Sequence, residues 1–379
     1  MSTDFHKLAV KGVQNLKPYL PGKPIEELER ELGVSNTLKL ASNENTMGPS
    51  PLAIEAMQKA ITQVDLYPDG NGFVLKKKLS EKFSVDDMQI ILGNGSNDVL
   101  DMIARAFLSE GREAIFSEYA FAVYPIATQA VGATARIAKA LDADHDENPY
   151  GHDLKAMSEL VNENTSVVFI ANPNNPTGTW LKSDELHQFI SELPLHIIVV
   201  VDEAYCEYVE SSEYPNALQW LKEFPNLVVS RTFSKAYGLA GLRVGYAVCS
   251  EEIADLLNRV RHPFNVNTVS ILAATAALSD DDHLQKCVEM NTKGIKFWRA
   301  ACQYRGLDYI PSVGNFITID FEQDAMPIYE GLLREAVIVR PITNYGLPNH
   351  LRISISTPED NQRCLDALDK VLQDLGIDN

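Results

Sequence analysis

Short runs that are apolar throughout alternate along this chain with stretches whose apolar residues return every third or fourth position. Gln89-Ile90-Ile91-Leu92, Ser166 to Ala171, His196 to Val201 and Asn226 to Val229 belong to the first kind and predict buried strands. Ala114–Phe116, Thr134–Ala138 and Val244–Cys249 predict shorter ones. Between them Asp98 to Leu108 repeats Val99, Leu100, Ile103, Ala104 and Phe107 with a helical period. Pro51–Thr62, Phe73–Phe83, Phe121–Val131, Asp153–Val161 and Ser183–Leu193 predict further helices. Strands apolar on both faces, alternating with helices, imply an α/β fold with a mainly parallel central sheet flanked by helices.

Past Arg261-His262-Pro263-Phe264-Asn265 the pattern changes. Two long helices, Val269–Leu278 and about Leu284–Tyr304, precede strands Asn315–Phe321, Val337–Arg340 and Leu351–Ser356, and a helix Pro358–Leu375 closes the chain. Such segregation predicts a smaller α+β domain. The start is different again: Pro18, Pro21 and Pro24 make a stiff arm, followed by a short helix Ile25–Leu32. The expected organisation is an N-terminal arm over 1–35, a large α/β domain over 36–262 and a small domain over 263–379.

Composition narrows the function classes. The 379 residues are 45% hydrophobic and 22% charged, as in an ordinary globular enzyme. A formal net charge of −19 disfavours a nucleic-acid or anionic-membrane surface, both of which need basic patches. Five scattered cysteines without a C-x-x-C pair fit a reducing compartment. Histidine spacing offers no metal motif. Met1 to Val10 lacks the apolar core of a signal peptide, and the apolar run Ile197–Val201 is far too short to cross a bilayer, so a cytoplasmic protein is expected.

Chemistry concentrates where four of the strands end. Gly93-Asn94-Gly95-Ser96-Asn97 turns a strand into a helix N-terminus, which suits an anion. Asn172 to Gly178 and Asp202-Glu203-Ala204-Tyr205 follow two further strands. After the fourth come Thr232, Ser234, Lys235 and Arg243. Hydroxyls and an arginine hold phosphate by charge-assisted hydrogen bonds, and a lysine whose proton is disfavoured becomes a Schiff-base nucleophile. Open α/β sheets bind ligands at the carboxyl ends of their strands. A dinucleotide loop is excluded, because no G-x-G-x-x-G precedes an acidic strand end.

These segments, with Pro18-Tyr19, Lys39 to Pro51, Tyr67-Pro68-Asp69-Gly70, Arg340-Pro341 and Tyr345 to Arg352, resemble the fold-type-I pyridoxal-phosphate-dependent aminotransferases. Among them the chain is most similar to the histidinol-phosphate aminotransferases, over nearly its whole length. The resemblance implies that Lys235 carries the cofactor as a Schiff base and then moves a proton, and that Asp202 pairs with the pyridinium nitrogen. It implies that Asn175 and Tyr205 bond the ring's phenolic oxygen and that Phe121 stacks on the ring, with Tyr119 and Tyr124 nearby. Ser96, Asn97, Thr232, Ser234 and Arg243 would hold the phosphate, joined by Tyr67 from a second subunit of a homodimer with shared sites. Arg352, helped by Arg340 and Tyr19, would bind histidinol phosphate and glutamate in turn.

Two departures border the substrate side: Thr46-Met47 stands where the family often has Pro-Leu, and Ile355-Ser356-Thr357 stands where many members have a glycine before the threonine. Rival readings are an aromatic amino-acid aminotransferase or a phosphate-substrate decarboxylase on the same scaffold. A non-enzymatic regulator is disfavoured by the acidic charge and by the lack of a helix-turn-helix before the arm.

Overall fold

The structure, a computed structural model, describes residues 3–19 and 21–377. In chain order the strands begin with β1 (Leu38–Lys39), β2 (Ile90–Gly93), β3 (Glu113–Ser117), β4 (Thr134–Ala138) and β5 (Thr165–Ala171). They continue with β6 (Ile198–Asp202), β7 (Leu227–Thr232), β8 (Gly245–Cys249) and β9 (Asp308–Ile310). Last come β10 (Phe316–Asp320), β11 (Val337–Ile338), β12 (Arg340–Pro341) and β13 (His350–Ser354).

Seven strands form the central sheet in the order β2-β8-β7-β6-β5-β3-β4. Strands β3 to β7 pair in parallel, while β8 runs antiparallel to both its neighbours. The apolar runs explain this burial. Val199 and Val201 point into one core with Leu75, Leu79, Phe189 and Ile271, whereas Ile198 and Val200 point into the other with Leu100, Ile103 and Tyr124. By the same alternation Asp202 shares the face of Val200 and Tyr124.

A second, antiparallel sheet runs β12-β13-β10-β9, and β1 pairs in parallel with β11. The expected single strand Val337–Arg340 is in fact two, β11 and β12, which join different sheets. Helices Glu251–Val260 and Met326–Arg334 complete the layers and were not anticipated from the pattern. Short helices Phe5–Leu8 and Lys11–Gln14 break up the start of the arm. Helix starts are otherwise well marked, with Ser50, Ser250, Asn267 and Thr357 side chains each accepting from a backbone N–H three residues on.

The helix Thr268–Ala277 lies in the first core, through Ile271, Ala273 and Ala274, although it follows residue 262. The passage to the second core comes inside the next helix, Asp281–Tyr304: Leu284 packs against the first core, and Ile295 and Trp298 belong to the second. Trp298 is fully buried, and its indole N–H donates to Asn361 Oδ1 at 3.2 Å. Trp298→Ala should therefore cost about 3–5 kcal/mol of stability, the range for deleting a buried aromatic. Trp298→Phe should cost less than half of that, and the two denaturation midpoints measure the difference.

Candidate active site

The register of the central sheet brings the chemical segments to one edge. Ala171 is opposite Asp202, Asp202 opposite Ser230, Thr232 opposite Gly245, and Gly245 opposite Gly93. A cleft of about 170 Å³ opens there, with Ser96, Asn175, Asp202, Thr232 and Lys235 among its lining residues. Its far wall is made by Arg340 and Arg352 of the small sheet and by Tyr345 in the turn Thr343–Tyr345 after β12.

One end of the cleft is built for an anion. Ser96 and Asn97 open the helix Ser96–Phe107, which has no side-chain cap, so its positive end is left to a ligand. Arg243 Nη1 donates to Ser234 Oγ at 3.3 Å, and Thr232 Oγ1 accepts from the Ser234 N–H at 3.1 Å. Gly95 has φ +82°, and a Cβ there would run into the Arg243 guanidinium, so glycine is what admits the arginine. A Cβ on Gly245 would likewise strike the backbone N of Ser96.

Asp202 lies at the end of β6 and is only 4% exposed. Tyr124 donates its phenolic proton to Asp202 Oδ2 at 2.9 Å, while Oδ1 is buried with no hydrogen-bond donor. Burial, with the neighbouring Glu203 charge, pushes the Asp202 carboxyl up to about 6, and the hydroxyls of Tyr124 and, more weakly, of nearby Ser230 only partly offset this. An unfilled acceptor of this kind fits a buried, positively charged N–H from a ligand.

Lys235 lies part-buried between the two sheets, and its ammonium reaches Ser42 O at 3.2 Å and Asn43 O at 3.4 Å. Burial first, and then the neighbouring Arg352, bring its pKa down from 10.5 to about 8. Roughly a tenth is therefore a neutral, nucleophilic amine at pH 7, far more than for an ordinary lysine. Tyr205, 3% exposed, has its ring centroid 5.6 Å from the lysine nitrogen.

The small sheet sets two arginines directly across from one another, Arg340 on β12 and Arg352 on β13. Both are buried, and like charges in opposed positions repel unless an anion sits between them. Arg352 donates to Asn175 Oδ1 and to Ala41 O, its guanidinium lies 5.4 Å from the Phe316 ring, and its Nε–H has no acceptor. Arg340 lies 5.7 Å from the ring of Tyr19.

Thirteen of the fourteen residues singled out in the sequence thus meet at this cleft. Tyr67 does not: it is 83% exposed and stacked on Phe264 at 4.8 Å, away from the cleft of its own chain. Of the three aromatic candidates, Phe121 lines the cleft, Tyr124 is buried beneath Asp202 and Tyr119 packs on Tyr150. Asn43 and Tyr345 also line the cleft and had been given no role. A positive φ at an asparagine inside a polar turn leaves little sequence signal.

The depressed lysine makes a testable statement. In protein freed of bound small molecules, acylation of Lys235 should switch on as pH rises through about 8, because only the neutral amine reacts. Arg352→Gln removes a neighbouring cation, favours the ammonium and should move that midpoint upward. Peptide mass spectrometry across a pH series gives both midpoints.

Comparison with known proteins agrees with this geometry. The model of the family described as aminotransferase class I and II matches residues 35–368. The chain is 58% identical over 365 residues to a histidinol-phosphate aminotransferase 2 of Methylococcus capsulatus, covering 96% of this chain and 98% of the relative. It is 55% identical to a histidinol-phosphate aminotransferase 2 of Pseudomonas aeruginosa, covering 98% of this chain and 99% of the relative. Among solved structures, the histidinol-phosphate aminotransferase of Sinorhizobium meliloti in complex with pyridoxal-5'-phosphate superposes with a TM-score of 0.87. That pair shares 27% identity, over 96% of this chain and 97% of the other. With a family match across most of its length, and an amine, a carboxylate and an arginine pair around one cleft, the chain belongs to the class I and II aminotransferases.

Proposed function

We propose that this enzyme is a pyridoxal-phosphate-dependent histidinol-phosphate aminotransferase of histidine biosynthesis. It moves the amino group of L-histidinol phosphate to 2-oxoglutarate, giving imidazole-acetol phosphate and L-glutamate. The observation that carries this is the opposition, across one cleft, of a lysine with depressed pKa and two buried arginines. Near full-length relatives of that name support the substrate.

The residues present fit the cofactor. The donorless Oδ1 of Asp202 suits a pyridinium N–H, and the rim of Ser96, Asn97, Thr232, Ser234 and Arg243 suits a phosphate. Phe121 offers a ring face, and Asn175 and Tyr205 offer polar atoms for the ring's phenolic oxygen. When bound, pyridoxal phosphate supplies an aldehyde that links to amines and a ring that accepts electrons from the bond being broken. Asp202, as the carboxylate, keeps the ring nitrogen protonated. Lys235 Nζ, once free, takes the proton from the substrate's α carbon and returns one to the product. Arg352 and Arg340, with Tyr19, hold the substrate's distal anion, phosphate in one half-reaction and carboxylate in the other. The burial of Arg340 and Arg352 limits the competition of water for their guanidinium groups.

We also assign a homodimer in which Tyr67 serves the partner's phosphate site. Ile61, Val64, Leu66, Tyr67 and Phe73 are all more than half exposed, and so many large apolar side chains on one short stretch support a covered face. The large unit is taken as 36–262 with the helix that follows, and the small unit as the second core. None of the described helices is long and apolar enough to cross a membrane. The five unpaired cysteines support a cytoplasmic location, which fractionation of the native cells tests.

Borohydride reduction of the purified protein should fix the cofactor to the peptide containing Lys235. Lys235→Ala should fold normally and lose turnover, and an unlabelled Lys235 peptide would remove the cofactor assignment. With 2-oxoglutarate as acceptor, kcat/KM for histidinol phosphate should exceed that for phenylalanine by orders of magnitude. The reverse order would make this an aromatic amino-acid aminotransferase. Arg352→Ala should lower kcat/KM for both histidinol phosphate and glutamate by about 10²-fold or more, the scale of a buried charged hydrogen-bond pair. For the dimer, sedimentation should give twice the chain mass, and Leu66→Glu should shift it toward monomer with weaker cofactor retention.

A further inference from the structure

Asn43 is 1% exposed, adopts a left-handed backbone with φ +53°, and touches more of the cleft's working parts than its place in a turn suggests. Its backbone N–H donates to Ser354 Oγ at 2.8 Å, and the Ser354 hydroxyl lies 3.1 Å from Asn43 Oδ1. Its carbonyl accepts from Asn315 Nδ2 at 3.0 Å and from Lys235 Nζ at 3.4 Å. Its side-chain amide donates to the Tyr205 hydroxyl at 3.0 Å.

The direction of that last bond follows from counting protons. Ser354 already accepts the Asn43 backbone N–H, and its single hydroxyl proton is then free to bond Oδ1, which turns the NH₂ end toward Tyr205. A phenol that accepts an N–H must place its own proton elsewhere. The remaining open side of Tyr205 is the cleft, which it lines beside Lys235.

We propose that Asn43 is a positioning residue that commits the Tyr205 proton to the cleft, making Tyr205 a fixed donor to the cofactor's ring oxygen. This rests on the pyridoxal phosphate reading above and deepens it. A donor on that oxygen stabilises its anionic form, so the pH at which the lysine-linked cofactor changes its visible absorption is held low. Because Asn43 is anchored to Ser354 on β13, two residues from Arg352, the device ties the substrate-anion wall to the proton chemistry at Lys235. The charged groups facing this pair are Asp202 at the end of β6, Arg352 from the small sheet, and Arg243 and Glu44 around the lysine, with the titratable phenol of Tyr19 beside them.

The test is a pH titration of the visible band in holoenzyme variants. Tyr205→Phe should raise the midpoint by about one unit, a tenfold gain in proton affinity and the size of one charge-assisted hydrogen bond. Asn43→Asp offers only acceptors, captures the Tyr205 proton and should raise the midpoint by a similar amount. In the double variant Asn43→Asp/Tyr205→Phe little should be added. Ser354→Ala, which frees the amide to turn, should give a smaller rise in the same direction and serves if Asn43→Asp does not fold. A midpoint unmoved in Asn43→Asp and Ser354→Ala, or shifts that add fully in the double variant, would overturn the role of Asn43 alone. A wild-type protein that takes up no cofactor and shows no band overturns the site reading and this proposal together.

Discussion

A buried carboxylate oxygen without a donor is costly, and Asp202 Oδ1 is such an atom at the edge of the cleft. The rest of the molecule is arranged around that unmet demand. Parallel strands carry Asp202 and Thr232 to the same edge, with β7 between β6 and β8 setting the distance between the carboxylate and the rim of hydroxyls and Arg243. Tyr124, stacked on Phe169 at 4.8 Å, donates to the other carboxylate oxygen and so leaves Oδ1 as the one without a donor. Lysine, hydroxyls and arginines then follow from how the strands end.

Much of this was legible in the chain. Strands buried on both faces must be apolar throughout, so the polar residues that interrupt them, such as Asp202 and Thr232, announce the edge where the site lies. The part that escaped depends on contacts between distant segments. Arg340 and Arg352 were both singled out in the chain, but their direct opposition was not, since it arises only through the antiparallel pairing of β12 with β13. Asn43 gains its role from Ser354 and Tyr205, which lie far along the chain.

The overlooked elements have different causes. Glu251–Val260 begins with a capping serine and two glutamates, so its signal was present, and its apolar face is confirmed by Ile253, Ala254 and Leu257. Met326–Arg334 contains a proline and a glycine, and packing of Ile328 and Leu332 rather than propensity keeps it helical. The division after residue 262 followed a proline turn, yet helix Thr268–Ala277 returns to the first core because its alanine-rich surface fits closely against the helix Pro51–Ala60. Turns mark where a chain bends, whereas cores mark where it belongs.

The glycine at position 95 carries no functional group, yet it reserves the volume that the Arg243 guanidinium occupies. Part of this enzyme's specification is therefore written in missing atoms. A methyl group added there would be felt as a misplaced positive charge, and a genetic variant at Gly95 would present as an arginine defect. Inheritance of the site thus depends on keeping a space empty as much as on keeping a side chain.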